Sequence, residues 1–262
     1  MLHLKNPFSR ATSPGKTPES SAPPIICIGH SHSETVKAAA EAAGANVTVY
    51  NFWHTKDGLD SSSNLPRLAP WLAEKMCGPI FCLIAGAIYH EFALLQDARP
   101  FDVILPECPD LPLIKGAEIL PYHAVRANIE ARSQPFFAIM NSVREAADQA
   151  VFQMQSPPIS ANDSVPTDDP GWNMFFGPDR TIYPAFMRRK IWLIQSQVIA
   201  AHCRKSGIIY VPHPPQAIDE NGFLRAGLNG TPGHANQAYG AMVLEQILQL
   251  ARATQFDTRE ID

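Results

Sequence analysis

Nowhere does this 262-residue chain hold a run of about 18 apolar residues, the minimum for a membrane-spanning helix. Residues 1–24 contain Pro, Ser, Thr, Gly and Lys but no apolar stretch of the kind a secretory signal carries. No C-x-x-C spacing occurs among the cysteines at 27, 77, 82, 108 and 203. A reducing, cytoplasmic-type compartment is therefore expected. Basic excess is absent too: 21 Lys and Arg stand against 25 Asp and Glu, a net charge of −4. That balance excludes a general nucleic-acid surface. The one tight basic cluster, Arg188-Arg189-Lys190, falls inside a helical pattern and reads as a solvated helix face. The first turn has only Gly29 before its helix, so the G-x-G-x-x-G of a dinucleotide site is missing. No internal repeat is visible.

Proline is plentiful. The 24 prolines concentrate in residues 1–24, 156–184 and 212–215. The first of these has too little apolar surface to offset the entropy of ordering, and a disordered tail is expected. Residues 25–255 are long enough for a single α/β domain. Residues 25–30 form a short apolar run bounded by turn signals, a buried strand. Ser33 is the expected N-cap of a helix over 34–43 that ends at Gly44. Further strands are expected at 47–52, 80–85, 101–105, 151–155 and 208–211. Helices are expected from Pro66, at 88–96, over 121–149 with an interruption at Pro135, at 182–205 and at 235–253. This alternation implies a mostly parallel sheet covered on both faces. Residues 156–180 read as an irregular insertion carrying Trp172, Phe175 and Phe176; such loops serve as lids or pack locally.

Two segments carry chemistry. Ile28-Gly29-His30-Ser31-His32-Ser33 runs a buried strand into a tight turn that exposes a serine. Gly230-Thr231-Pro232-Gly233-His234-Ala235-Asn236 sets a histidine at the mouth of the last helix. Parallel α/β sheets gather their active groups at the C-terminal edge of the strands, so the two can meet there. A serine hydroxyl becomes a nucleophile when a base takes its proton. The plain alternative is that Ser31 and Ser33 only cap the following helix.

The segment from Val211 through His213, Asp219 and Gly222 to His234-Ala235-Asn236 and Tyr239-Gly240 resembles the C-terminal block of the SGNH (GDSL-like) hydrolases. Gly29-His30-Ser31 resembles their first block. The resemblance implies a three-layer α/β/α, flavodoxin-like fold and an esterase-type hydrolase acting on a small-molecule or carbohydrate ester. No cofactor or metal is implied. Ser31 would be the nucleophile and His234 the general base. Ser31 N–H and Gly58 N–H would bind the oxyanion. His30 stands where the family has Asp, and Thr231 stands where the triad acid would lie. Asn229 is the neutral group that could orient the imidazole instead. After Gly86 the family carries an Asn side chain; here His90 or Tyr89 would have to replace it. Tyr239-Gly240 is expected to pack the last helix close to the sheet, and Asn236 to position the loop that bears His234.

Two other readings stay open. A domain with these departures could bind a glycan, an acyl ligand or a partner protein without turnover. Alternatively, His30 and His32, pointing to one side of an extended turn, could hold a metal together with the His90-Glu91 pair.

Overall fold

Ile25–Gly29 (β1), Ile80–Leu83 (β3) and Val151–Met154 (β6) are short, nearly continuous apolar runs, the pattern of strands buried on both faces. A computed structural model of the chain, describing residues 25–51, 78–85, 88–96, 98–163, 181–230 and 234–257, places them side by side. Val47–Asn51 (β2) and Ile209–Val211 (β7) complete a sheet of order β2-β1-β3-β6-β7. All four pairings are parallel. This is the flavodoxin-like order, with its switch point between β1 and β3.

Alternate strand residues serve opposite layers. Cys27, Phe81, Leu83, Phe152 and Met154 pack beneath helices His32–Ala43 (α1) and Gln237–Asp257 (α5). Ile26, Ile28, Ile80, Cys82 and Val151 face helices Ile88–Ala93 (α2), Tyr122–Ala146 (α3) and Ala185–Lys205 (α4). The three-layer expectation is met. Phe101–Val103 (β4) does not join the main sheet; it pairs in parallel with Glu118–Leu120 (β5) as a separate ribbon.

Several expectations are corrected. Helix α3 runs unbroken through Pro135. The ring costs that helix one backbone bond, but Pro135 and Ala131, whose carbonyl is released, both face solvent. The basic cluster on α4 is not a solvated face. Lys190 is 1% exposed and its Nζ donates to Asp102 Oδ1 at 2.7 Å and to the Pro112 carbonyl at 2.8 Å. Arg188 is also buried, donating to the Tyr183 and Asn162 carbonyls and to Asp163. Arg189 lies over the Phe223 ring. These three cations point into structure because the segments flanking the sheet present carbonyls and carboxylates to them. Asp102 accepts from Val103 N–H and Ile114 N–H as well, so the carboxylate at the strand is satisfied by backbone as expected.

The described start of the insertion is not irregular surface. Residues 156–159 are buried, and the Ile159 carbonyl accepts Leu224 N–H. Trp172, Phe175, Phe176 and the helix expected from Pro66 lie outside the described residues.

Candidate functional site

Strand β1 ends at Gly29 because nothing larger fits. A Cβ there would lie 2.7 Å from the Leu83 carbonyl oxygen of β3. His30 N–H still reaches that carbonyl, at 3.3 Å, and the chain then turns into α1. The helix begins at His32, with Ser31 as N-cap, rather than at Glu34 after a Ser33 cap. Ser33 is fully buried and its hydroxyl donates back to the His30 carbonyl at 2.7 Å. Ser31 makes no side-chain capping bond. Of the two serines, one is committed to the turn and the half-buried Ser31 hydroxyl is not.

His234 arrives from the opposite end of the chain on a small loop. Asn229 and Ala235 form a bridge, and Gly230 N–H donates to the His234 carbonyl at 3.0 Å. Asn236 closes the loop: its Nδ2 donates to the Gly227 carbonyl and its Oδ1 accepts Ala238 and Tyr239 N–H. Asn236 is thus the N-cap of α5 and the positioning residue the sequence indicated. Asn229 Oδ1 is shielded from solvent and has no hydrogen-bond partner among the described residues.

The structure brings four imidazoles to this edge. The His32 and His234 ring centres are 5.4 Å apart, and those of His90 and His234 are 6.5 Å apart. His30 goes elsewhere, its ring meeting Phe136 of α3 at 5.5 Å. The expected same-side pairing of His30 with His32 therefore fails, because the helix starts between them and sends them to different neighbours. Glu91 pairs with Arg132 at 3.0 Å. Among the described residues no group of three His, Cys, Asp or Glu side chains converges as a metal site would.

Burial sets the charge of two of these rings. Burial lowers the His30 pKa to about 4. His90 is lowered to about 3, mainly by burial and further by the charges of His234 and Arg188. Both rings are neutral near pH 7, and a neutral imidazole offers one N–H. His90 Nε2 is shielded and without a partner among the described residues.

The turn that precedes His90 holds the one non-glycine residue with positive φ among the described residues, Ala85 at 62°. Two buried glutamines clamp it. Gln195 of α4 donates to the Ala85 carbonyl at 2.9 Å and accepts Tyr89 N–H at 2.6 Å. Gln153 of β6 donates to the Ile84 carbonyl at 3.0 Å. Sequence reasoning missed both, although a glutamine inside the apolar run Val151–Met154 was the available signal. Gly58, Gly86 and Thr231 fall outside the described residues. Gly240 packs α5 not against the sheet, as expected, but against α1: a Cβ would lie 2.2 Å from the Thr35 carbonyl oxygen.

No family model matches the sequence, and no curated protein does. Solved structures similar in fold include a candidate acylhydrolase from Bacteroides fragilis, 15% identical with a TM-score of 0.48 over 90% of each chain. A GDSL-like lipase from Bacteroides thetaiotaomicron is 14% identical, TM-score 0.44, covering 86% of this chain and 88% of that one. A carbohydrate acetylesterase from Sinorhizobium meliloti is 11% identical, TM-score 0.43, covering 88% of this chain and 100% of that one.

Proposed function

We propose that the chain is an SGNH-like serine hydrolase that cleaves an ester, an O-acyl group on a carbohydrate, with Ser31 as nucleophile and His234 as general base. One observation carries this reading. The uncapping Ser31 hydroxyl stands at the C-terminal edge of β1, and the residue beside it, His32, packs its ring against that of His234.

In the proposed reaction His234 takes the Ser31 proton as Oγ bonds to the acyl carbon. The proton then goes to the departing alkoxide as the ester C–O bond breaks. Water, deprotonated by His234, releases the acid and restores Ser31. Ser31 N–H and Gly58 N–H, with Gly86 shaping the next turn, are the proposed oxyanion donors. Neutral His90 takes the place of the absent amide. Asn229, whose shielded Oδ1 lacks a partner among the described residues and whose backbone bridges to Ala235, is the acceptor proposed to orient the His234 ring where Thr231 has no charge. No described helix is long and apolar enough to cross a membrane, and Cys27, Cys82, Cys108 and Cys203 are free thiols. A reducing, cytoplasmic setting fits those thiols.

Incubation with p-nitrophenyl acetate and a fluorophosphonate probe tests the reading. Labelling at Ser31 that vanishes in Ser31→Ala is the expected result. Absence of labelling throughout about pH 6–9, where a serine–histidine pair is active, would instead assign a glycan-, acyl- or protein-binding domain.

A further inference from the structure

A pocket lies between α1 and α5, closed by the ends of β3 and β6. His32, Val36, Leu83, Met154, Tyr239 and Val243 line it, and it has room for little more than one water-sized group. Its size is fixed by the helices that wall it. Gly240 of α5 rests directly on the Thr35 carbonyl of α1, and Thr35 is itself part of the lining. The walls already touch, so the pocket widens only if the two helices part. His32 belongs both to this lining and to the imidazole cluster, with its ring 5.4 Å from that of His234.

We propose that this pocket receives the acyl end of the substrate and restricts it to acetyl. The inference rests on the reading of Ser31 as nucleophile. A methyl group there meets Val36, Leu83, Met154 and Val243, whereas each further methylene pushes α1 from α5. The Tyr239 hydroxyl, buried and without a partner among the described residues, is served by a water in the empty pocket. The methyl displaces that water. Chemistry at the carbonyl is unchanged: acetyl passes to Ser31 Oγ, the alcohol leaves with its proton, and water releases acetate.

Hydrolysis of p-nitrophenyl acetate, butyrate and octanoate by the full chain, with Ser31→Ala as background, decides the matter. The expected kcat/KM falls about tenfold or more from acetate to butyrate, and further to octanoate. Met154→Ala and Val36→Ala, each checked for folding by circular dichroism, should raise the butyrate-to-acetate ratio by about tenfold. Tyr239→Phe should lower KM for acetate. Ser31-dependent hydrolysis that treats octanoate as well as acetate overturns the acetyl pocket and leaves the nucleophile standing. A ratio unmoved in both folded alanine variants overturns it as well. Absence of any Ser31-dependent hydrolysis overturns the pocket together with the hydrolase reading.

Discussion

Neutral histidines are the residues that most set this edge of the sheet apart. His90 and His30 are buried uncharged, at about 3 and about 4 against an ordinary 6.5. The unfolded chain takes up protons at both positions below 6.5, while the native chain does not. Their contribution is therefore intact above pH 6.5 and is lost as the pH falls toward 4 and 3. Thermal melts should show a lower Tm at pH 4.5 than at pH 7, and His90→Leu should flatten that slope. Catalysis gives a separate handle on the same side chain. If neutral His90 donates to the oxyanion, His90→Phe lowers kcat by about 10²–10³ with KM little changed, and His90→Asn recovers part of it. The rate should rise with pH, since protonated His234 cannot accept from Ser31; a flat profile from about pH 5 to 9 contradicts the assignment.

At the level of elements, α3 and α4 each contain a feature that local rules misread. Pro135 belongs to a helix that packing holds together on its buried side, through Ile129, Ser133, Phe137 and Met140. Pro135→Ala restores a backbone bond at a solvent-facing position, and urea unfolding should show a gain of up to about 3 kcal/mol. On α4, Lys190→Met leaves the fully buried Asp102 carboxylate without its cation. Such a change should cost about 3–5 kcal/mol in the same assay. Pattern made the strands and most helix bounds legible, because apolar runs and glycine stops act within a few residues. Partners supplied by distant segments were not legible. Nothing near Arg188 or Lys190 in the sequence announces Asp163, Asp102 or the Pro112 carbonyl. The Ser31 turn could be read from Gly29 onward, yet which of Ser31 and Ser33 would cap depended on where the helix started. The clamp by Gln153 and Gln195 needed the β3 turn beside them in space.

For the molecule as a whole, the order β2-β1-β3-β6-β7 puts the ends of β1, β3 and β6 along one edge, and the loop before α5 closes over them. The first and last helices form one layer, and their contact is tight enough to exclude a methyl group at Gly240. That layer is assembled from segments far apart in sequence, so its closure waits on the end of the chain. Until Gln237 onward has been made, Cys27, Phe81, Leu83, Phe152 and Met154 lack half of their cover. Nascent or prematurely terminated chains would then carry a bare hydrophobic sheet face, a substrate for chaperones and a nucleus for aggregation rather than a partly working protein.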